Sequence, residues 1–154
     1  MSNTPKHNSI EDGETLLRAI YSPSFFDSDG TLSPSAFELV VQESGKSESG
    51  ISVVRQGIDG YIDFIHKIAQ RPRQDGDTFV KTVSMIAKIV RDIQLKTRKS
   101  IMIQIVQTGR YLCHAEIRLY IDNVLVKAGN RSPEYLSFLR HLVLLVQDQV
   151  KRPA

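Results

Sequence analysis

Cysteine is almost missing: Cys113 stands alone among 154 residues. One thiol allows no intrachain disulfide, so burial and hydrogen bonding must hold the fold, as in a reducing compartment. No apolar run approaches the roughly 18 residues that a membrane-crossing helix needs. The N-terminal MSNTPKHNSIEDG lacks the apolar centre of a secretory signal. The expected localisation is cytoplasmic, with no membrane partner. Gly-rich phosphate loops are absent too: neither GxGxxG nor GxxxxGK[ST] occurs, and no GxSxG marks a serine nucleophile. Charge of one sign is in short supply, with 20 basic residues against 17 acidic ones. A net charge of +3 and a pI of about 9.1 are too mild to argue for nucleic acid unless the charges cluster.

What is present is the composition of a folded domain. Apolar residues make up 41% and charged residues 24%, and the length suits one domain with a real core. The organising stretch is IMIQIVQTGRYLCHAEIRLYI, Ile101 to Ile121. Period-two alternation predicts two strands joined by a tight turn at Thr108, Gly109 and Arg110. Ile101, Ile103 and Ile105 share one face of the first strand. Because Met102 and Val106 make the other face apolar as well, that strand is expected at the centre of its sheet. The second strand sends Cys113, Ala115, Ile117, Leu119 and Ile121 one way and His114, Glu116, Arg118 and Tyr120 the other. Asp122-Asn123 is a second tight turn, since both residues tolerate positive φ, and Val124 and Val126 return as a short edge strand.

Elsewhere, residues 1–13 are expected to be a disordered tail and residues 14–152 a single α+β domain. LLRAIY (Leu16 to Tyr21) predicts the first strand, ended by Ser22-Pro23. Asp27-Ser28-Asp29-Gly30 is a turn, Ser33-Pro34 opens a short helical turn, and Gln42 to Gly50 is a loop. ISVVR (Ile51 to Arg55) predicts another strand. From Ile58 the period becomes helical, with Asp59 as the cap and Tyr61, Ile62, Ile65, Ile68 and Ala69 on one face. RPRQDGD (Arg71 to Asp77) breaks it. Phe79, Val83, Ile86, Val90 and Ile93 then predict a second helix of about 15 residues at steps of four and three, with a strand as the alternative because Val and Ile abound. Ser132-Pro133-Glu134 opens the last helix. Its apolar face, Tyr135, Leu136, Leu139, Leu142, Val143, Val146 and Val150, is widened by Phe138, Leu144 and Leu145. The expected fold is an antiparallel or mixed sheet with about three helices packed on one face.

Three constellations bear on function. His114, Glu116, Arg118 and Tyr120, spaced roughly 7 Å apart along one strand face, offer an acid-base group, its partner and an anion clamp. The plainer reading is the wet face of an antiparallel sheet. Arg18 and Arg55, on other strands, either join such a cleft or serve as ion-paired arginines. Second, Lys88, Arg91, Lys96, Arg98 and Lys99 gather five cations against the single acid Asp92. That suits phosphate contacts or the solvated end of a helix, and no interleaved aromatic indicates base stacking. Third, the over-wide last helix suits a protein partner or self-association. Metal and cofactor are not expected. Adjacent Cys113 and His114 point to opposite faces, and a calcium loop built on Gly30 would place Phe25 and Ala36 where carboxylates are needed.

The ordered pieces LLRAIY, DSDGTLSPSAF, GISVVR and HAEIR resemble a pattern in small bacterial proteins: a strand with Arg18, a turn at Asp29-Gly30, the pair Ala36-Phe37, a strand with Ser52, Val53 and Arg55, and a late strand with His114-Ala115. The resemblance implies a bacterial source and no catalytic residue. Taken together, the expectation is a non-catalytic interaction module. The alternatives are a small enzyme or nucleotide- or anion-binding protein using the strand face, and a nucleic-acid binder using Lys88 to Lys99.

Overall fold

The computed structural model describes residues 9–42, 44–73 and 75–150. Of the expected tail at 1–13, residues 1–8 lie outside them; within the remainder Ile10 is buried against the core. Six strands form one antiparallel sheet: β1 (Thr15–Ser22), β2 (Ile51–Arg55), β3 (Thr78–Ile86), β4 (Ile101–Gln107), β5 (His114–Ile121) and β6 (Val124–Leu125). Their order is β3-β1-β2-β5-β4, with β6 also paired to β5. Three helices accompany them: α1 (Tyr61–Gln70), α2 (Ala87–Arg91) and α3 (Pro133–Val146). This is the expected α+β class. Among the described residues no helix is long and apolar enough to cross a membrane.

The expected hairpin is present. Ile101 pairs with Ile121 and Gln107 with Ala115, a register that follows the alternation residue by residue. Residues 108–113 separate the strands, twice the expected turn, because Gln107 Nε2 donates to the carbonyls of Thr108, Gly109 and Tyr111 and ties the longer loop together. Asp122 and Asn123 have φ of 50° and 65°, so the second turn holds both central residues in the left-handed region. Ser132 Oγ accepts from the Tyr135 N–H at 3.2 Å, the cap expected for α3.

Several expectations are corrected. β4 is an edge strand, not a central one; its outer apolar side chains are only partly covered, with Met102 41% exposed. The second expected helix is a strand over Thr78–Ile86, followed by five helical residues. Along its whole length β3 pairs with β1, Thr15 to Ile86 through Ser22 to Thr78. That ladder suits its β-branched residues better than a helix would. The cap of α1 is Gly60 at φ 89° rather than Asp59.

Helices also cover both faces of the sheet. On one face Leu16, Ile20, Val53, Val83, Ile117 and Leu119 pack with Phe138, Leu142 and Val146 of α3 in the main core. On the other face α1 lies over a smaller cluster of Leu17, Val54, Ile58 and Cys113. No residue of α1 is fully buried, whereas α3 buries six. Phe138 is among those six, so it is core, while Leu136, Leu144 and Leu145 remain exposed.

Candidate ligand cleft between two parting strands

β1 and β2 pair only at Leu16–Arg55 and Leu17–Val54. β1 then continues along β3 while β2 continues along β5, so the sheet opens from Arg18 onward. Arg18 occupies the fork. Its Nη1 donates to the carbonyl of Ser52 at 2.9 Å, and its Nε and Nη2 donate to the carbonyl of Ala36 at 3.0 and 2.9 Å. A guanidinium is suited to this place because its planar N–H groups reach the Ser52 carbonyl on β2 and the Ala36 carbonyl in the short helical turn Pro34–Phe37 at once. Phe25 and Phe37 lie 5.8 and 5.9 Å from its central carbon. Three of its five N–H groups are thereby used, and one on each Nη has no acceptor among the described residues.

The fork borders a cavity of about 300 Å³, at the small end of the range typical of small-molecule sites, roughly 300–1,000 Å³. Leu17, Val54, Phe64 and Ile68 give it apolar lining, and Arg18, Arg71, Arg73, Glu38, Glu48, Ser52 and His114 give it polar lining. Arg73 stacks over Tyr21 at 4.0 Å and pairs with Asp75 at 3.3 Å, so its guanidinium is held in place. Arg18 forms no ion pair with any carboxylate of the described residues. Burial pulls it down to about 10; Glu48 acts in the opposite direction, and Arg73 reinforces the fall. It therefore stays cationic at neutral pH.

The polar face of β5 points where the alternation places it, yet its members part company. His114 reaches the cavity: its ring lies 5.7 Å from Phe64, and Nδ1 is held 2.9 Å from Thr108 Oγ1. Glu116 and Arg118 bond each other at 3.3 Å instead. Gly50 lies directly on them; a Cβ there would come within 2.9 Å of Arg118 Cγ, Glu116 Cβ and the Ile117 carbonyl oxygen. Tyr120 is farther along, beside Leu125 of β6. Of the four only His114 lines the cavity; Glu116, Arg118 and Tyr120 are partly buried outside it.

Arg55 is a structural arginine. It is completely buried, with Nε 2.7 Å and Nη2 2.9 Å from the two oxygens of Glu14, and it also donates to the carbonyls of Leu112 and Ser9. Burial pushes the Glu14 carboxyl up, but the bonds from Arg55 and the Glu11 N–H outweigh it and leave the group below its usual value. The Cys113 thiol is buried and pushed up by that burial, so it lacks the low pKa of a nucleophile.

In the basic segment Lys88 pairs with Asp92, Arg91 with Asp12 and Lys99 with Glu134. Lys96 and Arg98 have no ion pair among the described residues.

Sequence reasoning reached Arg18 and His114 but missed Arg71, Arg73 and Phe64. The two arginines sit in a segment legible only as a helix breaker, and Phe64 lies outside the apolar stripe assigned to its helix. The available signal was Arg-Pro-Arg directly after a one-sided amphipathic helix. No protein-family model, curated protein or solved structure matches this chain.

Proposed function

We propose that this protein binds a small organic anion in the cleft where β1 and β2 part. The observation that supports this reading is Arg18: a partly buried guanidinium, held by two main-chain carbonyls, without a carboxylate partner among the described residues, and bordering a cavity. Withdrawing a cation from water is costly unless an opposite charge compensates it. An anionic ligand would provide that compensation, and the unused N–H on each Nη would give it directional contacts. Leu17, Val54, Phe64 and Ile68 would shelter the ligand's apolar part.

Thermal unfolding of the wild type and Arg18→Met against organic carboxylates, phosphate monoesters and nucleotides tests the reading. A ligand present at a hundred times its Kd adds about 2.7 kcal/mol of stability, and that rise is expected in the wild type and lost in Arg18→Met. No stabilisation by any of these anions, or equal stabilisation of both proteins, would remove the proposal.

A second reading, self-association through α3, is favoured by Leu136, Leu144 and Leu145, which are 39%, 62% and 36% exposed on a helix otherwise built into the core. Light scattering is expected to show a concentration-dependent dimer that Leu144→Ser weakens. A strict monomer at high concentration would end this reading.

A further inference from the structure

We infer that the ligand is a monocarboxylate carried on an aromatic or otherwise planar apolar body. This rests on the anion-binding reading above and deepens it. The cleft wall carries three arginines and two glutamates, and Asp75 on Arg73 brings the formal sum to zero, so one added negative charge is tolerated better than two. Arg73 is already answered by Asp75 at 3.3 Å. A second negative charge on the ligand would therefore meet Glu38, Glu48 or a guanidinium already neutralised. A phosphate monoester, close to a dianion above its second pKa near 6, is matched less well than a single carboxylate. Geometry points the same way: Arg18 offers one spare N–H on each Nη, two donors for the two oxygens of one carboxylate. The apolar lining contributes the ring of Phe64, against which a planar body stacks.

Calorimetric titration at pH 7.5 with benzoate, benzamide, acetate and phenyl phosphate tests the inference. Benzoate is expected to bind at least tenfold more tightly than each of the other three. Arg18→Met is expected to abolish benzoate binding, Arg71→Ala, at an exposed position, to weaken it several-fold, and Arg118→Ala, outside the cleft, to leave it unchanged. Phenyl phosphate binding as tightly as benzoate, with both lost in Arg18→Met, would overturn the monocarboxylate assignment and leave the anion site standing. Acetate equal to benzoate would overturn the planar body. Benzamide equal to benzoate, or no binding of any of the three charged probes, would overturn the anion site as well.

Discussion

Arg18 and Arg55 lie on adjacent strands, and each spends its guanidinium on main-chain carbonyls. Arg55 adds a two-pronged bond to Glu14 and disappears from the surface. Arg18 adds no such bond and borders open space. Burial of an arginine is thus a poor pointer to function, and the state of its charge is the better one. Where the carboxylate comes from within the chain, the pair fastens the fold. Where it is lacking among the described residues, as at Arg18, we propose an anionic ligand. The same contrast runs along β5, where Glu116 and Arg118 answer each other beneath Gly50 while His114 opens into the cleft.

The largest effect is expected from Arg55→Met. It strands a partly buried carboxylate, and breaking a buried pair from one side costs about 3–5 kcal/mol. At this chain length that lowers Tm by roughly 6–20 °C, measurable by calorimetry. The pair also gives stability a pH dependence. Glu14 sits below its usual value in the fold; its contribution is therefore complete above the unfolded value and lost as pH falls through the folded one. Denaturant titrations at successively lower pH from about 5 should show a steeper loss for the wild type than for Glu14→Gln, and equal slopes would break the assignment.

Gly50→Ala comes next. The added methyl meets a backbone oxygen, which cannot swing aside, and overpacking of this kind costs about 1–3 kcal/mol. A denaturation midpoint unchanged in this variant would mean that the covered end of the β5 face is looser than described. Arg18→Met should cost less than Arg55→Met, about 1–3 kcal/mol, because it takes the donor from the Ala36 and Ser52 carbonyls but strands no ion-pair partner. A loss as large as that of Arg55→Met would make the two arginines equivalent and erase the comparison.

Much of this arrangement was legible in the residues. Alternation along His114 to Ile121 set the register of the β4–β5 hairpin, and Ser132-Pro133 set the start of α3. Two kinds of information were not legible. The stripe through Phe79, Val83 and Ile86 fits a helix as well as a strand, and only the ladder offered by β1 decides between them. The parting of β1 from β2 is a property of pairing, invisible in either strand alone. That is why Arg18 and Arg55 looked alike in sequence and Arg71 and Arg73 looked like loop.

Arg18 is the residue proposed to meet the ligand's charge. The most direct measurement follows the arginine side-chain Nε–H resonances during a benzoate titration. The account predicts a saturable shift of the Arg18 signal while the Arg55 signal stays fixed. An Arg18 signal that does not move, or one that moves no more than that of Arg55, would contradict it.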